Sequence, residues 1–231
     1  MDKLFLVALI VAVLSMDRTL LGAYFFDRAF FVSLLLSFIF GDAVVSFGEI
    51  QIFGFSSLKL SIAVALMWDL LWITRFPLGG IVQPKVVLPA AFSFCFSMAF
   101  APAVNSSVLG FSFVPGLLIA YALGGLEDLV FALVEKLSNR TFMNASMGKE
   151  GIGEKFERLW SVFLPVIFVI LRFALIFALA VASLSLIPYL GTAYSALPEQ
   201  LKVFFALVFP SVVVFSAGRL MFYILKTRIA L

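Results

Sequence analysis

The chain has 231 residues, of which 64% are hydrophobic and 13% are charged, and its mean hydropathy is +1.18. These values exclude a soluble globular protein and predict an integral membrane protein, in which residues 1–231 form a single membrane domain because no polar stretch is long enough for a soluble core. The net charge of +3 requires no nucleic-acid partner, and the absence of histidine removes the commonest metal ligand and any phosphohistidine, so we expect no metal and no cofactor.

The N-terminal half contains apolar segments that are too short to cross a bilayer alone. The apolar segments 4–16, 29–40 and 60–73 are each about 12 to 14 residues long, whereas a spanning helix needs about 20. No small-residue cleavage site follows the first segment, so we expect it to be retained. Lipid tolerates irregular backbone only where protein covers it or where it lines a watery cavity. We therefore predict an all-α, multi-span helical bundle with short broken or re-entrant helices in this half.

The C-terminal half contains two longer apolar segments. Residues 159–190 exceed one bilayer crossing, so we expect them to tilt or to bend at Pro165 and Pro188. Residues 201–225 form a second predicted span with Pro210 inside it.

Basic residues are concentrated in the polar segment 135–158 and in the C-terminal tail, which carries Lys226 and Arg228. Two predicted spans separate these regions, so both lie on the same side of the membrane. Because cytoplasmic loops carry an excess of Lys and Arg, we expect a cytoplasmic loop at about 135–158 and a cytoplasmic C-terminus.

Ionisable side chains at membrane depth are the strongest functional candidates, because each is costly without a partner or a watery cavity. Asp69 lies in an apolar segment between two tryptophans, and Arg172 lies near the middle of its long span. Such an arginine cannot reach either interface, so we expect it to meet an acid or free carbonyl groups, and Asp69 is the favoured acid. A buried ion pair that only braces the fold is the alternative. The remaining candidates are Asp17, Arg28, Asp42 and Arg75.

Several short motifs follow one another between residues 16 and 84. In chain order they are Met16-Asp17-Arg18, Asp27-Arg28-Ala29, Phe40-Gly41-Asp42, Trp68-Asp69-Leu70-Leu71-Trp72, Arg75-Phe76-Pro77-Leu78-Gly79-Gly80 and Gln83-Pro84. Their order resembles that in the EIIC subunits of the mannose/fructose/sorbose phosphotransferase system, which carry approximately L-D-R, S-R-P, L-G-D, L-E-L-L-W, R-L-P-L-G-A and P-P. Asp69 stands where that family has glutamate, and Ala29 stands where it has proline.

The resemblance implies a channel or permease subunit that moves a hexose-type sugar across the inner membrane of a bacterial cell. It also implies an oligomer, an EIID-like membrane subunit, and cytoplasmic EIIA and EIIB components, of which EIIB phosphorylates the sugar as it emerges. The chain is then a multi-pass transport subunit in contact with sugar and lipid rather than an enzyme, because phosphoryl transfer resides on its partners.

We expect a sugar site formed by four side chains, namely Asp69, Trp72, Arg75 and Asp17. A carboxylate can accept hydrogen bonds from two adjacent hydroxyl groups while an aromatic face covers the C–H side of the ring. Trp72 is favoured over Trp68 because it lies almost one helical turn from Asp69. A helix break is expected beside the path, and further residues are expected to be structural or coupling. These are Pro77, Gly79 and Gly80 at the break, with Arg172, Asp42 and Arg28 elsewhere.

Two alternatives remain open. One is an EIIC-like sensor or scaffold without transport in a reduced phosphotransferase system. The other is a membrane-embedded lipid or phosphoryl-transfer enzyme, a class that usually clusters several acids around a divalent metal. The sequence has one adjacent acidic pair, Glu127-Asp128, for which a solvated or capping role at a helix end is favoured.

Overall fold

The computed structural model describes residues 2–16, 28–40, 45–47, 50–53, 55–74, 86–100, 104–146 and 152–229. Almost all of them are helical. The helices are α1 (Asp2–Ser15), α2 (Ala29–Phe40), α3 (Phe55–Thr74), α4 (Val87–Phe100), α5 (Ser106–Ser146), α6 (Ile152–Ser185), α7 (Ile187–Ser195) and α8 (Glu199–Ile229). The predicted fold class, an all-α membrane bundle, is confirmed.

The first two helices are as short as the sequence predicts. α1 has 14 residues and α2 has 12, so α2 is only about 18 Å long, against roughly 30 Å of bilayer hydrocarbon. α3 has 20 residues and starts before the predicted segment 60–73. The first turns of α3 include Ser56, Ser57 and Lys59. A hydropathy pattern excludes these polar residues from the predicted segment, although the end of a helix accommodates them.

Two short antiparallel strands, β1 (Val45–Phe47) and β2 (Ile50–Phe53), lie between α2 and α3 in the chain. The register pairs Ser46 with Gln51 and Phe47 with Ile50. The hydropathy pattern does not predict this hairpin, because strands this short show too little alternation to stand out from apolar surroundings.

The C-terminal half contains the helices that can cross a membrane. Among the described residues, three stretches are long and apolar enough to do so, namely Ser106–Lys136, Val166–Ser195 and Glu199–Phe222. The helix is interrupted at Leu186, between the end of α6 at Ser185 and the start of α7 at Ile187. Pro188 lies in the first turn of α7, where a backbone N–H has no intrahelical acceptor. α6 continues through Pro165, and α8 continues through Pro210.

The polar segment 135–158 is mostly helical rather than the loop that the sequence predicts. α5 runs into it as far as Ser146, and α6 begins inside it at Ile152. Charge indicates solvation rather than backbone conformation, and Lys, Glu and Leu are all good helix formers. The membrane side on which this segment lies stays a prediction.

α5 and α8 run in the same direction. The Ser107 hydroxyl donates to the Lys202 carbonyl at 2.7 Å, and Gly110, one turn further along α5, lies against Phe205 of α8. The C-terminal ends of the two helices therefore lie at the same end of the bundle. That the polar segment and the C-terminus share one side of a membrane stays a prediction.

α4 forms the centre of the described bundle. Its residues from Val87 to Phe94 are all buried, and it contacts α1, α2, α3, α5, α6 and α7. A helix that is apolar on every side belongs in a core or a membrane, and α4 is too short to cross a membrane. α8, by contrast, exposes large apolar side chains such as Phe204 and Phe222, as expected of a lipid-facing helix.

Candidate functional site

Asp69 lies near the end of α3, and its carboxylate binds the start of α2. Oδ1 accepts a hydrogen bond from the backbone N–H of Ala29 at 3.0 Å, and Oδ2 accepts one from Phe30, also at 3.0 Å. The first N–H groups of a helix have no intrahelical acceptor, and the helix dipole favours negative charge beside them. The residue that precedes α2 is Arg28, whose guanidinium has no acceptor atom. Asp69 therefore caps α2 from a neighbouring helix.

A pair of serines, one on α2 and one on α3, also holds these two helices together. The Ser33 hydroxyl donates to the Ser61 carbonyl at 3.1 Å, and the Ser61 hydroxyl donates to the Ser33 carbonyl at 2.8 Å. Both side chains are fully buried. Small hydroxyl residues let helices approach closely and satisfy one another where no water is present. The position of the Asp69 carboxylate is thus fixed by the packing of two helices.

The contact between Trp68 and α5 locates this junction along the length of the bundle. Its indole ring lies so close to Gly116 of α5 that a methyl group there would come within 2.6 Å of it. Gly116 lies about 15 Å from the start of α5 at Ser106 and about 16 Å before Glu127, the first charged residue of that helix. The junction between Asp69 and α2, next to Trp68, therefore lies about midway along the apolar part of α5.

Trp68 itself belongs to the core rather than to a path for solutes. Its side chain is 1% exposed, its Nε1–H donates to Ser93 Oγ at 3.1 Å, and its ring centroid lies 5.4 Å from that of Phe113. A buried indole normally needs a hydrogen-bond partner, and Ser93 of α4 supplies it.

The Trp68→Phe variant is expected to lose roughly 2–4 kcal/mol of unfolding free energy, because it removes the hydrogen bond to Ser93 and deletes the buried ring atoms that pack against Gly116. Titration with a denaturing detergent in mixed micelles measures the change. Ser93→Ala is the matched control, since the double variant then loses no more than the larger single variant. Full additivity of the two losses would show that the hydrogen bond contributes nothing.

The structure brings two of the predicted residues, Asp69 and Arg28, to the same junction, since Arg28 directly precedes α2. Trp72 lies in α3, and its side chain is outside the described residues. The other predicted positions at or near the sugar path also lie outside the described residues. These are Asp17, Asp42, Arg75, Pro77, Gly79 and Gly80.

Arg172 meets Glu127, whereas the sequence favours Asp69 as its acid. Arg172 Nε donates to Glu127 Oε1 at 3.0 Å, and the two side chains are 10% and 11% exposed. Arg172 Nη2 also donates to the carbonyl of Ser15 at 3.3 Å. The expectation that Arg172 meets an acid or free carbonyl groups inside the bundle is therefore confirmed, but the acid comes from α5.

Glu127 is the residue that the sequence pattern places wrongly, at a solvated helix end. Its neighbour Asp128 is exposed, whereas Glu127 faces α6. Adjacent helical residues point about 100° apart, so an acidic pair can have one buried and one exposed member. An electrostatic signal in the sequence could have identified Glu127 as the partner of Arg172. Arg172 needs one acid at membrane depth, and Glu127 is the charged residue at which the apolar part of α5 ends.

No protein-family model matches the chain, and no curated protein matches it. One solved structure described as "Structure of membrane protein" has a TM-score of 0.63 at 14% sequence identity, with 97% of this chain and 80% of that chain covered. At this identity the similarity shows the fold alone. It extends over nearly the whole chain and agrees with a single helical membrane bundle.

Proposed function

We propose that the chain is the channel or permease subunit of a phosphotransferase sugar transport system and moves a hexose-type sugar across a bacterial inner membrane. The supporting observation is the junction between Asp69 and the start of α2, about midway along the apolar part of α5. Short helices whose N-termini lie at membrane depth are a recurrent feature of substrate sites in transporters. The order of the motifs in residues 16–84 supports the choice of transport system.

The chemistry of Asp69 fits a polar, uncharged solute. A carboxylate offers roughly four lone-pair positions, so capping α2 does not by itself prevent it from accepting a sugar hydroxyl. A charged acceptor also forms stronger hydrogen bonds than a neutral one. In the proposal Asp69 both orients the start of α2 and contacts the sugar, with Trp72 covering an apolar face of the ring.

The remaining parts of the proposed path adjoin this junction along the chain. Asp17 belongs to the segment that leads from α1 to α2, and Arg75 directly follows α3. In the proposal these polar side chains complete the path, while Asp42 and the break at Pro77, Gly79 and Gly80 shape it.

The partners in this proposal are an EIID-like membrane subunit, cytoplasmic EIIA and EIIB components, and further copies of the chain. In the proposal, the end of the bundle at which α5 and α8 finish faces the cytoplasm and EIIB. Lipid and the EIID-like subunit would cover the exposed apolar faces, including that of α8.

The test is uptake of labelled hexoses by cells that lack their own hexose phosphotransferases and express the chain with its EIID-like, EIIA and EIIB partners. Loss of one or two hydrogen bonds to a charged acceptor is expected to lower uptake by Asp69→Ala about tenfold to hundredfold. Asp69→Glu restores the residue of the resembling family and is expected to change the preference among hexoses. Glu199→Gln is the matched control, because Glu199 is 85% exposed and lies at the other end of α8 from the charged tail.

Two results contradict different parts of the proposal. No uptake and no binding of any hexose by the complex that carries the natural sequence would contradict sugar transport and favour the sensor or scaffold. Normal uptake by Asp69→Ala, at normal protein levels, would leave transport in place and remove Asp69 from the sugar site.

A further inference from the structure

Arg172 joins three helices at one point. Its guanidinium Nε donates to Glu127 of α5, and its Nη2 donates to the carbonyl of Ser15, the last residue of α1. The guanidinium itself belongs to α6 and is only 10% exposed. The planar guanidinium presents several donors in fixed directions, so one arginine can bind an acid and a carbonyl at once.

The carbonyl that Arg172 binds is one that α1 cannot satisfy itself. The last carbonyl groups of a helix have no intrahelical donor, and a cation beside them is favoured by the helix dipole. The chain is also held tightly just after this point, since the Met16 N–H donates to the Val13 carbonyl at 3.0 Å and Met16 is fully buried. Arg172 therefore fixes the end of α1 at Ser15, two residues before Asp17.

An ion pair that only braces two helices needs no contact with a third. Burying Arg172 and Glu127 returns about as much free energy as it costs. A bracing role alone therefore does little to explain why the pair is buried. The contact with Ser15 gives the pair a directional role, in which Glu127 orients the guanidinium and the guanidinium holds the end of α1.

We propose that Arg172 is a positioning residue that holds the C-terminal end of α1, and with it the start of the segment that carries Asp17. The effect on sugar uptake rests on the proposed function, because it requires Asp17 to lie in the sugar path. The restraint on α1 itself does not depend on that function.

The restraint is tested by labelling a single cysteine at the end of α1 with a small thiol reagent. Ser15→Cys is suitable because the Ser15 hydroxyl is buried and makes no hydrogen bond to the described part of the chain. Cys95→Ala removes the natural thiol. In this background, labelling rates are compared for the parent, Glu127→Gln, Arg172→Met and the double variant Glu127→Gln/Arg172→Met. The control position is Leu4, at the other end of α1. For this control, Leu4→Cys is introduced in place of Ser15→Cys.

Each variant removes one feature of the cluster. Glu127→Gln keeps an acceptor for Arg172 Nε and leaves the bond to the carbonyl at position 15 in place, so labelling is expected to rise little. Arg172→Met removes every donor, and labelling at position 15 is expected to rise about tenfold to hundredfold. The double variant buries no uncompensated charge, yet its labelling is expected to stay as fast as that of Arg172→Met. The rate at position 4 is expected to stay constant in all of them.

Parent-like labelling of the double variant would overturn the proposal, because the pair would then only brace the fold. Equal labelling of Glu127→Gln and Arg172→Met would overturn it as well. Hexose uptake by the same double variant with Ser15 and Cys95 retained is expected to show a raised KM. If the natural sequence takes up no hexose, the proposed function fails while the labelling result still decides the role of Arg172.

Discussion

Arg172→Met lowers the free energy of unfolding by about 3–5 kcal/mol, the largest loss that we expect from a single substitution in this chain. In the natural protein, Arg172 Nε lies 3.0 Å from Glu127 Oε1, and the Glu127 side chain is only 11% exposed. The substitution removes this guanidinium and leaves the carboxylate in place. An uncompensated carboxylate in a low-dielectric interior is far more costly than an absent ion pair. Unfolding in mixed micelles by a denaturing detergent measures this loss.

The matched control is the double variant Glu127→Leu/Arg172→Met. It replaces both charges with apolar side chains and is expected to unfold within about 1 kcal/mol of the natural sequence, since buried ion pairs contribute little net stability. A double variant as unstable as Arg172→Met would show that the pair stabilises the fold beyond charge compensation. The Glu127→Leu variant alone is expected to be as unstable as Arg172→Met.

Gly110→Ala lowers the free energy of unfolding by about 1–3 kcal/mol because it separates α5 from α8. A Cβ atom at Gly110 would overlap the backbone carbonyl oxygen of Phe205 and approach the Cβ of Val208 to 3.2 Å. A backbone carbonyl cannot rotate away as a side chain can, so the two helices must move apart. The same unfolding titration measures the loss.

Gly125→Ala on the same helix is the matched control. Among the residues that the structure describes, nothing lies within 4 Å of a Cβ atom at this position, and alanine favours a helix over glycine by about 0.5–1 kcal/mol. The control is therefore expected to raise stability slightly. A loss of similar size at both glycines would contradict the close packing of α5 on α8 and point to a general effect of alanine.

The helices that the sequence predicts well are those whose extent is set by composition. α2 has the predicted bounds, Ala29–Phe40, because charges and a glycine flank an uncharged, mostly apolar run. The end of α6 lies close to Pro188, as the proline predicts. The helical character of the polar segment 135–158 and the hairpin of β1 and β2 are not predicted, because hydropathy records solvation rather than backbone conformation.

The sequence predicts which charged residues form the candidate site, but it does not predict the groups that they bind. Asp69, Arg172 and Arg28 stand out because charged residues are rare in apolar sequence. The sequence does not show that Asp69 caps α2, because that contact joins residues 40 positions apart. The partner of Arg172 lies 45 positions away, and several acids satisfy the same electrostatic requirement.

The sequence by itself determines that the chain is a helical membrane bundle, that its first helices are short, and that a few charges stand within its apolar segments. Composition and run length carry this information because each residue reports its own preference for lipid or water. Only the tertiary structure decides that Asp69 binds the start of α2 and that Arg172 joins Glu127 to the end of α1. These contacts depend on which helix faces pack together, and that packing is a property of pairs of distant residues.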